Sequence, residues 1–119
     1  MAAIKRKLEI DKGATFRFKA VWKVGATKET VQPVDLTGYT AKMQVREDIG
    51  TPILLELTTE NGGITLGGVL GSIELYVSAT ESSSFIWSEG VYQLELTAPN
   101  GDVSRKLAGR VVVTPEITV

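Results

Sequence analysis

Strict alternation of apolar and polar residues in one stretch constrains the fold of this chain more than any other sequence feature. Residues 39–46 read YTAKMQVR, and every apolar residue falls at the same parity. Because successive side chains of a strand point to opposite faces, the pattern predicts a strand with one buried and one solvated face. Pro33 and Gly38 predict a turn before this strand, and Leu36 lies in that turn as an apolar peg over the open end of the core.

Short segments with a period of two recur along the whole chain. They predict strands over residues 4–10, 15–24, 53–58, 64–66, 72–78, 91–96 and 103–113. Residues 15–24 carry an inward row that includes Phe16, Phe18 and Trp22, so we expect this strand to be central. Ser78 and Glu81 have the spacing of a capping box, which predicts one or two helical turns over residues 79–85.

Taken together, the segments predict an all-β protein. The expected architecture is an antiparallel Ig-like β-sandwich of about seven to nine strands with one short helical turn. The chain has 119 residues, which suits a single domain over residues 1–119. In its last long strand we expect Val103 and Leu107 to face inward and Lys106 and Arg110 to face outward.

Composition limits the classes of partner and of chemistry. The formal net charge is -1, whereas nucleic-acid binders and proteins that dock on anionic lipid need a basic surface. The chain has no Cys and no His, which excludes disulfides, thiolate nucleophiles and the commonest metal ligand. The first ten residues lack the apolar run of a signal peptide, so synthesis and folding in the cytoplasm are expected.

No sequence pattern supports a catalytic, cofactor-binding or metal site. The acidic residues Glu47, Asp48, Glu60 and Asp102 all lie in predicted loops, and nothing in the sequence brings them together. The spacing of an EF-hand is lacking, and the paired glycines are not followed by the helix of a phosphate-binding loop. We therefore assign no catalytic residue, no cofactor and no metal ligand.

Contact surfaces are the remaining candidates for function. The first strand is expected at a sheet edge, where its basic run Lys5-Arg6-Lys7 would block edge-to-edge aggregation. Trp87, near the helical turn, either covers the core or contacts a partner, and residues 117–119 form a small apolar tail. The candidate interface residues are Ile4, Arg6, Leu8, Ile10, Trp87, Ile117 and Val119.

Several stretches of the chain resemble a recurring pattern of small tailed-bacteriophage proteins. They are DLTGYTAKMQVR (35–46), LLELTT (54–59), GITLGG (63–68), GSIEL (71–75), GVYQLEL (90–96) and GRVVVTPE (109–116). The likeness runs in order from Asp35 to the end, and residues 1–34 match least. The family consists of Ig-like β-sandwich virion components, akin to the N-terminal domains of phage baseplate upper proteins, which hold fibres or receptor-binding proteins on the tail.

This resemblance implies a non-enzymatic structural role in a phage particle, at the tail, the baseplate or the head–tail region. The implied partners are other virion proteins, with the chain as a homo-oligomer or repeated subunit of the virion and without nucleic acid or membrane. Two alternatives stay open. One is a carbohydrate or host-surface binding module in which Trp87 or Tyr76 stacks on a sugar ring. The other is an intracellular inhibitor of a host defence protein.

Overall fold

The computed structural model describes residues 4–25 and 31–115. This part of the chain forms eleven β-strands, one short α-helix and one 3-10 turn, and three of the strands are only two residues long. The strands are β1 (Ile4–Lys5), β2 (Leu8–Asp11), β3 (Phe16–Val21), β4 (Lys23–Val24), β5 (Gln32–Pro33), β6 (Thr40–Arg46), β7 (Ile53–Thr58), β8 (Ile64–Leu66), β9 (Ser72–Val77), β10 (Glu89–Thr97) and β11 (Val103–Thr114). The helix α1 spans Ala79–Ser83, and the 3-10 turn spans Gly68–Leu70.

Two sheets enclose one core. The large sheet has the order β1-β11-β10-β6-β7, with β2 also paired to β11, and the small sheet has the order β3-β9-β8. Pairing is antiparallel except for β1 and β2, which run parallel to β11. Buried apolar side chains from both sheets form a single cluster. The prediction of an all-β sandwich with one short helix is confirmed.

Residues 39–46 fold as their alternating pattern predicts. Ala41, Met43 and Val45 on β6 are at most 4 % exposed, and Leu36 in the preceding turn is 1 % exposed. The turn is held by Asp35, whose carboxylate accepts hydrogen bonds from the Thr37 hydroxyl and the Thr37 amide. These bonds lower the pKa of Asp35, because they favour the charged carboxylate.

The expectation that the aromatic strand is central is wrong. Within the described parts of the chain, β3 pairs only with β9 and forms one edge of the small sheet, and its Phe16 and Phe18 are half-buried. The aromatic row still faces the core, but β9 holds the middle position of this three-stranded sheet and β3 is left at its edge. The guanidinium of Arg6 lies 5.1 Å from the centre of the Phe18 ring and covers part of its exposed surface.

A β-bulge in β11 changes which of its side chains face the core. Leu107 lies opposite Leu94 and Arg105 lies opposite Glu95, so Lys106 is the extra residue between them. The shift turns Lys106 inward, with its ammonium 3.2 Å from the centre of the Trp22 ring. Partial burial lowers the pKa of Lys106. The predicted outward position of Lys106 and inward position of Val103 are therefore wrong, and Val103 is 59 % exposed.

The helix α1 begins at the predicted cap. The Ser78 hydroxyl accepts a hydrogen bond from the Glu81 amide at 3.1 Å, as the capping-box pattern indicates. Ser82 is fully buried and accepts a hydrogen bond from the Gly13 amide while it donates to the Ala14 carbonyl. The helix therefore ties the turn between β2 and β3 to the segment that leads into β10.

Candidate interaction surfaces

The described parts of the chain, residues 4–25 and 31–115, contain no group of three or more acidic, His or Cys side chains that could hold a metal ion. No helix within these ranges is long and apolar enough to span a membrane. The features that stand out are two sheet edges, an apolar groove and one protruding turn.

The N-terminal edge consists of β1, β2 and the two residues between them. Ile4 is 68 % exposed and Arg6 is exposed, so both are available to a partner. Leu8 and Ile10 are 2 % and 1 % exposed and belong to the core. The assignment of Leu8 and Ile10 as interface residues is therefore corrected. Successive side chains of a strand point to opposite faces, so every second side chain of this strand faces the core. The alternate side chains and the outer backbone edge remain accessible to a partner.

Three contacts hold the N-terminal edge in place at Arg6. The Arg6 amide donates to the Ala108 carbonyl at 2.9 Å, and the Tyr92 hydroxyl donates to the Arg6 carbonyl at 2.7 Å. Gly109 lies directly beneath, with φ of 152° and no side chain to push the Arg6 backbone away. The sequence analysis did not identify Tyr92 or Gly109 as residues that position this edge.

Tyr92 makes the stability of the protein decrease at alkaline pH. Its burial raises the pKa from 10.0 to about 12, and the positive charge of Arg6 acts in the opposite direction. The folded state therefore holds this proton more tightly than the unfolded state. The resulting stabilisation is complete below about pH 10 and is lost as pH rises toward about 12.

Replacing Tyr92 by phenylalanine tests this contact. We expect Tyr92→Phe to lower the free energy of unfolding by about 1 kcal/mol at neutral pH, because the Arg6 carbonyl loses its donor. The variant should also lose part of the decline in stability above pH 10. Urea unfolding at about pH 8 and about pH 11 measures both effects, with Tyr76→Phe as a surface control. An unchanged alkaline decline in Tyr92→Phe would contradict the assignment.

A groove, here called the β7 groove, runs between the outer edge of β7 and the segment that follows α1. It has a volume of about 470 Å³. Ile86 is 99 % exposed and Ile53 is 43 % exposed at its rim. Its lining residues are Ile53, Leu54, Leu55, Glu56, Glu81, Ser84, Phe85, Ile86 and Trp87. The groove therefore combines exposed apolar side chains with two carboxylates.

Trp87 packs against the core and also lines the β7 groove. Its ring lies 5.0 Å from the ring of the buried Phe85, and it packs against the core cluster while it remains half-exposed. Tyr76, the other residue considered for stacking on a sugar, is 37 % exposed. The guanidinium of Arg17 lies 4.7 Å from the centre of its ring and occupies one face. That contact leaves Tyr76 poorly suited to stack on a ligand.

A turn on the solvated face of the large sheet presents a further apolar residue that sequence reasoning missed. Ile49 is 92 % exposed at the tip of this turn. The turn is closed by hydrogen bonds between Asp48 and Thr51, and the Arg46 guanidinium donates to the Thr51 carbonyl. Beside it lies a shallow depression whose lining includes Val91 and Ala108.

The predicted contact residues Ile117 and Val119 lie outside the described residues. The last described strand, β11, is held at its end by two backbone hydrogen bonds. The Val113 amide donates to the Ser88 carbonyl at 2.8 Å, and the Lys12 amide donates to the Thr114 carbonyl at 2.9 Å. The end of β11 therefore lies at the end of the sandwich that carries Ser88.

Comparison with known proteins informs the fold. No protein-family model and no curated protein sequence matches the chain. A crystal structure of a chicken TCR matches with a TM-score of 0.54 and 12% sequence identity, over 96% of this chain. The fold is Ig-like. The aligned region covers 56% of the TCR chain, so this protein spans just over half the length of that relative.

An Ig-like fold does not select a function by itself. In all, 121 chains of solved structures match, which makes the architecture a common one that hosts many unrelated activities. At 12% identity the TCR likeness establishes the arrangement of strands and nothing about binding.

Proposed function

We propose that this protein is a non-enzymatic structural component of a phage particle, at the tail, the baseplate or the head–tail region, and that it acts through protein–protein contacts. Support comes from where the phage-like stretches lie in the fold. Four of them, residues 35–46, 54–59, 90–96 and 109–116, coincide with or extend β6, β7, β10 and β11. These are four neighbouring strands of the large sheet. The other two, residues 63–68 and 71–75, coincide with β8 and β9 of the small sheet, so the resemblance covers strands of both layers.

The observation that carries the proposal is the outer edge of β7, which pairs with no other described strand, together with its apolar groove. Ile86 is 99 % exposed and lines this groove beside the outer edge of β7, and exposed apolar side chains next to an open strand edge are typical of contact surfaces. In a virion subunit, the same surface is available to fix a neighbouring chain or to anchor a fibre. Strand addition supplies backbone hydrogen bonds, and the groove supplies the fit for side chains.

Mass spectrometry of purified phage particles tests the proposal. Particles released from cells that carry this gene in its native genome should contain the chain at a constant copy number. Deletion of the gene should leave particles that lack fibres or fail to complete assembly. Recovery of the chain only from the soluble lysate, bound to a host protein, would overturn the proposal and favour the inhibitor of host defence. Glycan-array binding by the purified chain would favour the carbohydrate module.

A further inference from the structure

The large sheet ends in two strand edges that differ in character. Its order places the N-terminal edge at one side and β7 at the other, and among the described residues each of these strands pairs on one side only. Each edge therefore presents backbone amides and carbonyls that can accept a further strand. β7 has six residues, and the N-terminal edge spans residues 4–11. The two edges are thus similar in length.

The strand directions favour pairing between these two edges. β7 is antiparallel to β6, β6 to β10 and β10 to β11, whereas β1 and β2 are parallel to β11. β7 therefore runs opposite to the N-terminal edge. A second copy placed beside the first in the same orientation brings its N-terminal edge antiparallel to β7. Antiparallel pairing is the more stable arrangement for two adjacent strands.

Charge distinguishes the two edges and selects the pairing. The N-terminal edge carries three exposed basic side chains, Lys5, Arg6 and Lys7, against two exposed acidic ones, Glu9 and Asp11, so its net charge is positive although Lys7 and Glu9 pair at 3.4 Å. The charged residues that line the β7 groove, Glu56 and Glu81, are both acidic. Two N-terminal edges repel each other, and so do two β7 grooves, whereas one edge of each kind attracts the other.

Exposed apolar side chains lie on both edges as well. Ile4 is 68 % exposed on the N-terminal edge, and Ile53 and Ile86 are 43 % and 99 % exposed at the β7 groove. Pairing of the two edges would bring these residues to the same contact. Their burial adds a non-directional attraction to the hydrogen bonds and the charge complementarity.

We infer that identical copies of this protein associate head to tail, with the N-terminal edge of one copy adding to β7 of the next beside the β7 groove. This deepens the proposed function and rests on its claim that the protein acts through protein–protein contacts. The contact joins two different surfaces, so it is heterologous and builds an open row or a closed ring of subunits. The twist of the sheet sets the rotation from one copy to the next.

Charge reversal on each edge, followed by mixing, tests the inference. Sedimentation velocity of the wild-type protein should show an average mass that rises with concentration beyond that of a dimer. Lys5→Glu/Lys7→Glu and Glu56→Lys/Glu81→Lys should each weaken association about tenfold or more. An equimolar mixture of the two variants should recover association, because each edge then meets its opposite charge on the other variant. A mixture that stays monomeric overturns the inference, as does a wild-type protein that is monomeric at every concentration.

Control variants separate this contact from others. Ile49→Glu, on the solvated face of the large sheet, and truncation after Pro115 should both leave the association unchanged. Loss of association in either control, with no effect of the charge reversals, would assign the contact elsewhere and overturn the inference. Circular dichroism and the Tm of each variant verify folding.

The two hypotheses can fail separately. Association of the purified protein without its presence in particles would contradict the proposed function alone. Presence in particles with no response to the charge reversals would contradict this inference alone.

Discussion

Alanine at Gly109 is expected to lower the free energy of unfolding by roughly 2–4 kcal/mol and to detach the N-terminal edge from β11. The glycine has φ of 152°, a conformation that residues with a side chain rarely adopt. A Cβ at this position would overlap the Arg6 carbonyl oxygen and press on the Arg6 backbone. Because this neighbour is main chain, no rotamer change relieves the overlap, and the strand itself has to move.

Gly101→Ala is the matched control for this experiment. Gly101 also has a positive φ, 94°, but an added Cβ there meets nothing within 4 Å. Urea unfolding should show a larger loss for Gly109→Ala than for Gly101→Ala, and the difference reports the overlap with Arg6. Amide hydrogen exchange should accelerate at Arg6 in Gly109→Ala alone. Equal losses in the two variants would show that backbone conformation, not the close approach of the N-terminal edge, accounts for the effect.

Shortening the side chain of Leu36, which covers the open end of the core, is expected to have the other large effect on stability. Leu36→Ala should lower the free energy of unfolding by roughly 2–5 kcal/mol, because it removes buried methyl groups and leaves a cavity. Leu36 is 1 % exposed, and its backbone amide donates to the Gly68 carbonyl at 2.8 Å. The loop before β6 is thereby fixed to the 3-10 turn, so the surroundings have little freedom to collapse into the space.

The control for Leu36→Ala is the same kind of truncation at the surface. Ile49→Ala removes methyl groups from a side chain that is 92 % exposed, and its effect should stay within about 0.5 kcal/mol. Chemical denaturation of both variants by urea, with m-values compared, measures the difference. A Leu36→Ala variant as stable as Ile49→Ala would show that Leu36 does not close this end of the core.

The local sequence pattern correctly predicted the structural elements that are determined by residues close together in the chain. Alternation identified β6 and its inward face, because a strand with one dry side needs that parity. The capping pattern located the start of α1 at Ser78, since the hydroxyl of the cap bonds an amide only three residues away. The turn signals around Gly38 placed Leu36 over the core, where the structure has it.

Elements that depend on distant residues were not predicted in the same way. The aromatic row of β3 indicated a strand with an inward face, but aromatic content does not tell a central strand from the edge of a small sheet. The inward turn of Lys106 follows from a bulge opposite β10, and a bulge is a property of two paired strands. The burial of Leu8 and Ile10 likewise depends on the parallel pairing of β2 with β11.

The sequence by itself determined that this chain is an all-β sandwich without Cys or His chemistry, because side-chain parity and composition act locally and need no partner strand. Only the tertiary structure decided which strand edges stay open, that Tyr92 and Gly109 hold the N-terminal edge, and that a groove with two carboxylates borders β7. These features arise from contacts between residues far apart in the chain, such as those of Arg6 with Tyr92 and Gly109. Such contacts are set by the order and register of the strands, which the alternation of residues along a single strand does not encode.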